Sequence, residues 1–135
     1  MEQHDIGTKE DLVSYRLESA KECLESAKLL MEAGHLKAAN NRGYYAILQA
    51  VNAVHAVHGD AYKRHKDAIA NFNKEYVKTE VFPRTMGRRI AQAEEIRHES
   101  DYDDFYIASK AEAEEQIATA EEFISMVEDY CKREC

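Results

Sequence analysis

The sequence has no tryptophan, one proline and five singly scattered glycines in 135 residues. Without a run of glycines no loop can wrap its backbone amides around phosphates, which argues against a P-loop ATPase. No serine sits in a nucleophile elbow, and no hydrolase triad can be read from the scattered serines, histidines and acids. The cysteines, Cys23, Cys131 and Cys135, are odd in number and lack the paired spacing of a disulfide framework or a zinc ribbon. No apolar run approaches the ~20 residues of a membrane span, and the start MEQHDIG lacks the basic and apolar segments of a secretion signal. A soluble cytoplasmic protein with no membrane association is the expectation.

Hydrophobic residues make up 44% of the chain and charged residues 33%, enough apolar material for one core and too little length for two. The whole of 1–135 is therefore expected to be a single domain, with less ordered ends at about 1–8 and 131–135. The net charge is -8, a poor balance for non-specific duplex binding. Its distribution is uneven, since residues 61–98 hold 9 basic and 5 acidic groups whereas residues 99–135 hold 3 and 12.

Helical periodicity dominates. Thr8 and Asp11 resemble a capping box, and Val13, Leu17, Ala20, Leu24, Ala27 and Met31 recur at steps of four and three until Gly34. The segment from Leu36 to His58 is apolar nearly all round and reads as the central helix. A shorter helix is expected from about Arg64 to Val77, and another starts at Pro83 and carries Met86, Ile90, Ala93 and Arg97 in one seam. Arg97 thus stands where an apolar residue is expected. After the acidic stretch Glu99 to Asp104, a last helix aligns Ala113, Ile117, Ala120, Ile124, Val127 and Cys131. The fold class is all-α: an antiparallel four-helix up-and-down bundle with one additional short helix.

Three groups of residues carry chemistry. His55 and His58 have a spacing that could serve a metal, but the inward Glu-x-x-His repeats of di-iron bundles are lacking, so the pair reads as complementing a helix C-terminus, and no metal or cofactor is expected. Lys63, Arg64, Lys66, Arg84, Arg88 and Arg89 form a basic cluster that suits RNA phosphates, an acidic partner or the chain's own acidic last helix. Arg97, His98 and Tyr102, supported by Asp101, place an anion-binding group beside a proton-exchanging group and a phenol within about one and a half turns. The same residues suit an architectural role, in which a buried arginine is held by a carboxylate and tyrosine hydroxyls.

Asn41-Arg42-Gly43-Tyr44-Tyr45-Ala46, then Lys63-Arg64-His65-Lys66 leading into Phe72 to Thr79, and finally Arg97 to Tyr102, resemble the HEPN domain (higher eukaryotes and prokaryotes nucleotide-binding) over roughly Tyr15 to Tyr130. The likeness is nearest to the small stand-alone prokaryotic branch. The resemblance implies a homodimeric helical bundle paired with a minimal nucleotidyltransferase in a toxin–antitoxin system. It further implies RNA binding and metal-independent ribonuclease activity at a composite dimer site. The family motif is an arginine, a polar residue and, after four to six intervening residues from the arginine, a histidine. Arg97 matches the arginine and His98 the polar residue, but the three allowed histidine positions hold Tyr102, Asp103 and Asp104. A tyrosine, with an ordinary pKa near 10, is a poor general base at neutral pH. The expected activity is therefore a weak or degenerate ribonuclease, or else a non-enzymatic dimeric subunit that docks or regulates the transferase. In some relatives a tyrosine two residues beyond the motif histidine accepts a nucleotide; here that position is Asp104, leaving Tyr102 as a modification candidate.

Overall fold

The computed structural model describes residues 8–134 and is built from α1 (Lys9–Glu32), α2 (Leu36–Val57), α3 (His65–Phe72), α4 (Arg84–Tyr102) and α5 (Lys110–Glu134). Four long helices and one short helix make the expected bundle, with no strand among the described residues. The expected disorder at 1–8 falls almost wholly outside the described residues. At the other end α5 continues through residues 131–134 and keeps Cys131 buried.

Each terminus follows from local chemistry. The Thr8 hydroxyl accepts the Asp11 amide at 3.1 Å and caps α1. α2 ends in a Schellman turn: Gly59 adopts φ 78°, its amide donates to Ala56, and the Asp60 amide donates to the His55 carbonyl. Beyond Phe72 the third helix widens into a π turn over Asn73–Val77, closed by Lys78 N–H to Asn73 O at 2.9 Å. That extra residue per turn lets the neighbours Tyr76 and Val77 both face inward. Pro83 is the N-cap of α4, whose helix runs on through the acidic stretch to Tyr102 and carries Ser100 and Asp101 with it.

α2 is the central helix and packs against every other helix. Its Ala39, Ala46, Ala50 and Ala53, with Ala20 and Ala27 of α1, are fully buried, so small side chains let these helices approach closely. At one end Phe72, Tyr76, Phe82, Phe123 and Tyr130 form an aromatic cluster, with Phe72 and Phe123 centroids 5.5 Å apart. Where α4 passes the π turn, a Cβ on Gly87 would lie 2.7 Å from Val77 Cγ1, so glycine permits the contact. These contacts hold the start of α3 beside the second half of α4.

Candidate phosphate-binding groove

An open groove of about 530 Å³ lies between α2, α3 and α4 and is lined by Tyr44, His65, Lys66, Ala91, Glu94, Glu95, Arg97, His98 and Tyr102. Its base is set by Arg97. The guanidinium carbon lies 5.5 Å from the Tyr44 ring centroid and 5.8 Å from that of Tyr45, and Nη2 donates to the Tyr45 hydroxyl at 3.3 Å. Asp101, one turn on, forms an ion pair with Nε at 3.1 Å, although the N–H is not aligned for a hydrogen bond. Burial works against the Arg97 charge, but the Tyr45 hydroxyl and Asp101 outweigh it and hold its pKa above the ordinary value. The seam position expected to be apolar is thus occupied by a cation resting on two aromatic faces.

The surrounding groups are electrostatically linked. Burial, with Glu94 adding to it, pushes the Tyr44 phenol up to about 12, against the pull of Arg97. Burial lowers the pKa of His65, and the Arg97 charge lowers it further. Burial raises Glu94, with Lys66, Arg97 and His98 opposing. His65 lies edge-on to the Tyr45 ring at 5.5 Å, whereas His98 lies against Tyr102 at 4.8 Å on the exposed lip. The groove therefore combines a fixed cation, a histidine biased to its neutral form and a second, exposed histidine.

Arg97, His98 and Tyr102 come together as the sequence suggested, with Asp101 bracing the arginine. The basic cluster divides. Lys66 lines the groove, while Lys63 and Arg64 are exposed just before α3. Arg84 and Arg88 are exposed on the first turns of α4, ~13–20 Å along the helix axis from Arg97 at 1.5 Å per residue. Arg84 pairs with Glu80, and Arg89 pairs with Glu122 at 2.6 Å and Glu115 at 3.6 Å on α5, the internal pairing that the acidic last helix offers. His65, Tyr44, Tyr45 and Glu94 were not singled out as site residues. The first three lie within segments that carry the family resemblance, but their convergence on Arg97 needs the three-dimensional path.

The loop from Asp103 to Ser109 is tied inward at one point. The Tyr106 hydroxyl donates to Glu112 at 2.6 Å and accepts from Asn40 at 3.0 Å. On either side Phe105 and Ile107 are 90% and 87% exposed, and Tyr102 is 70% exposed. Three large apolar or aromatic side chains are thus exposed, Tyr102 on the groove and Phe105 and Ile107 on the loop that follows α4.

The sequence model of the HEPN domain matches residues 13–130. A UPF0332 protein of Thermotoga maritima is 32% identical over 123 residues, covering 91% of this chain and 93% of that protein. The crystal structure of TT1696 from Thermus thermophilus superposes with a TM-score of 0.72 at 20% identity, over 87% of this chain and 96% of that one, which establishes a shared fold.

Proposed function

The chain belongs to the HEPN domain family, and from that premise we propose that it acts as a homodimer that binds single-stranded RNA in the Arg97 groove and cleaves it slowly without metal. In this reading its cellular partner is a minimal nucleotidyltransferase, the two forming a toxin–antitoxin pair. The observation that carries the proposal is the convergence of Arg97, His65, Lys66, His98 and Tyr102 on one open groove. A guanidinium held in place by Tyr44, Tyr45 and Asp101 costs no reorganisation when negative charge builds on a phosphate. Lys66 adds a second cation. His65, kept neutral by burial and Arg97, supplies the base that the missing motif histidine would have supplied. Tyr102 donates a hydrogen bond to phosphate or leaving oxygen.

The exposed Phe105, Ile107 and Tyr102 are the surface on which a second copy would be seated, bringing two grooves together. Fluorescence anisotropy with a labelled single-stranded RNA tests the site. Arg97→Ala and Lys66→Glu should each weaken binding at least about tenfold, and affinity should fall as salt rises. Equal affinity in both folded variants removes the groove from RNA binding.

The second reading, a non-enzymatic subunit that docks or regulates the transferase, draws on the same geometry. Arg97 is already engaged by Tyr45 and Asp101, an arrangement that also serves to fix α2 against α4. It requires that Arg97→Ala alter stability without altering RNA affinity.

A further inference from the structure

Outside the residues that line the groove, His55 projects from the last turn of α2 into the core and is 0% exposed. Its Nε2 lies 2.9 Å from the Ala68 carbonyl, which can only accept, so Nε2 carries the proton. Nδ1 is then a buried lone pair, and it has no hydrogen-bond partner. A buried acceptor left unmatched is costly, which makes this atom the anomaly of the region.

Two carboxylates stand beside it. A ring nitrogen of His55 and one carboxylate oxygen each from Asp60 and Glu75 all lie within 4.8 Å of one another. Two backbone irregularities create this meeting. The Schellman turn at Gly59 returns the chain so that Asp60 N–H bonds the His55 carbonyl at 2.9 Å, and the π turn over Asn73–Val77 carries Glu75. Single-turn π segments are frequent at functional sites. Among the described residues no lysine or arginine forms an ion pair with either acid.

We propose that His55, Asp60 and Glu75 form a binding site for a divalent transition-metal cation, with His55 Nδ1 and one oxygen of each carboxylate as ligands. The donor set of one imidazole and two carboxylates suits Zn²⁺ or Mn²⁺, and Zn²⁺ binds such sites more tightly. A metal-bound histidine commonly donates its other N–H to a backbone carbonyl, the role of Ala68 O here. Tetrahedral ligands on bonds of ~2.0–2.1 Å are about 3.3 Å apart, so the Asp60 and Glu75 side chains, both exposed, must move inward to close on the cation. The cation clips the turn after α2 to the π turn and leaves a coordination position open to solvent. This site is separate from the Arg97 groove and does not depend on the reading given to it.

The test is a calorimetric titration of chelator-stripped full-length protein with Zn²⁺, with Asp60→Asn and Glu75→Gln as exposed variants that leave the core intact. Co²⁺ absorption identifies the donors. One equivalent should bind at micromolar Kd or tighter, each variant should weaken it at least about tenfold, and Co²⁺ should give d–d bands without thiolate charge transfer. The absence of saturable binding overturns the proposal. So does affinity unchanged in either variant, or a thiolate band that assigns the metal to cysteine.

Discussion

Arg97 and Tyr45, 52 residues apart in the chain, are joined both through the ring face and through a 3.3 Å hydrogen bond from Nη2 to the phenol oxygen. The pair ties the groove to the core, because Tyr45 lies in the central helix beside the fully buried Ala46 and Ile47. Arg42 approaches the same ring, its guanidinium carbon 4.9 Å from the centroid. Arg97→Ala should therefore lose about 1–2 kcal/mol of stability in urea unfolding, and Tyr45→Phe, which keeps the ring, about 0.5–1 kcal/mol. Equal losses in the two variants would assign the whole effect to the hydroxyl.

His65 gives a pH signature with a definite sign. Its folded pKa lies below the ordinary 6.5, so the unfolded chain binds the proton more readily. The associated stability is present above about pH 6.5 and is lost as pH falls through the depressed value. The thermal midpoint should fall from pH 7 to pH 5, and His65→Gln should flatten that slope. An unchanged slope removes His65 from the account.

Glu94 behaves in the opposite sense. Burial raises its pKa, so its contribution is favourable below the ordinary 4.5 and is lost as pH rises through the folded value. Glu94→Gln should therefore raise the thermal midpoint at pH 7, with the difference vanishing toward pH 4. A lowered midpoint at pH 7 means that its attraction to Lys66 and Arg97 outweighs its burial.

The loop after α4 separates monomer stability from assembly. Tyr106→Phe leaves Asn40 and Glu112 without their shared partner and should cost about 1–3 kcal/mol. Phe105→Ser, at a side chain that is almost fully exposed, should leave unfolding of the monomer unchanged but shift sedimentation toward monomer. A dimer unaffected by Phe105→Ser and Ile107→Ser together places the interface elsewhere.

Glu80 is the only non-glycine described residue with positive φ, at 64°. Left-handed backbone costs an L-residue roughly 1–2 kcal/mol, more than the exposed pair with Arg84 returns. Glu80→Gly should raise stability by about 0.5–1 kcal/mol in urea unfolding, while Glu80→Val should lower it.

Helix order, the Thr8 cap, the Gly34 and Gly59 ends and the buried seams of α1 and α5 were all legible, because each rests on contacts within a few residues in sequence. The burial of Ser100 near the end of α4 was not, since its acidic neighbours Glu99 and Asp101 reveal nothing of a polar side chain enclosed between them. The π turn was hidden too: Tyr76 and Val77 read as an ordinary helix end, and only the Lys78 N–H to Asn73 O bond, with Val77 packed against Gly87, reveals the widened turn. At the site, Arg97 was marked by its break in the apolar seam. His65 carried no such mark, and its meeting with Arg97 depends on how α3 is laid against α4.

The most direct test of the groove as the functional centre is single-turnover cleavage of a labelled single-stranded RNA in excess chelator by wild-type protein, Arg97→Ala and His65→Gln, with each variant's fold checked by circular dichroism. Slow cleavage by the wild type, reduced at least about 10²-fold in both variants, is the result the account predicts. Wild-type cleavage that persists at the same rate in a folded Arg97→Ala variant would contradict it.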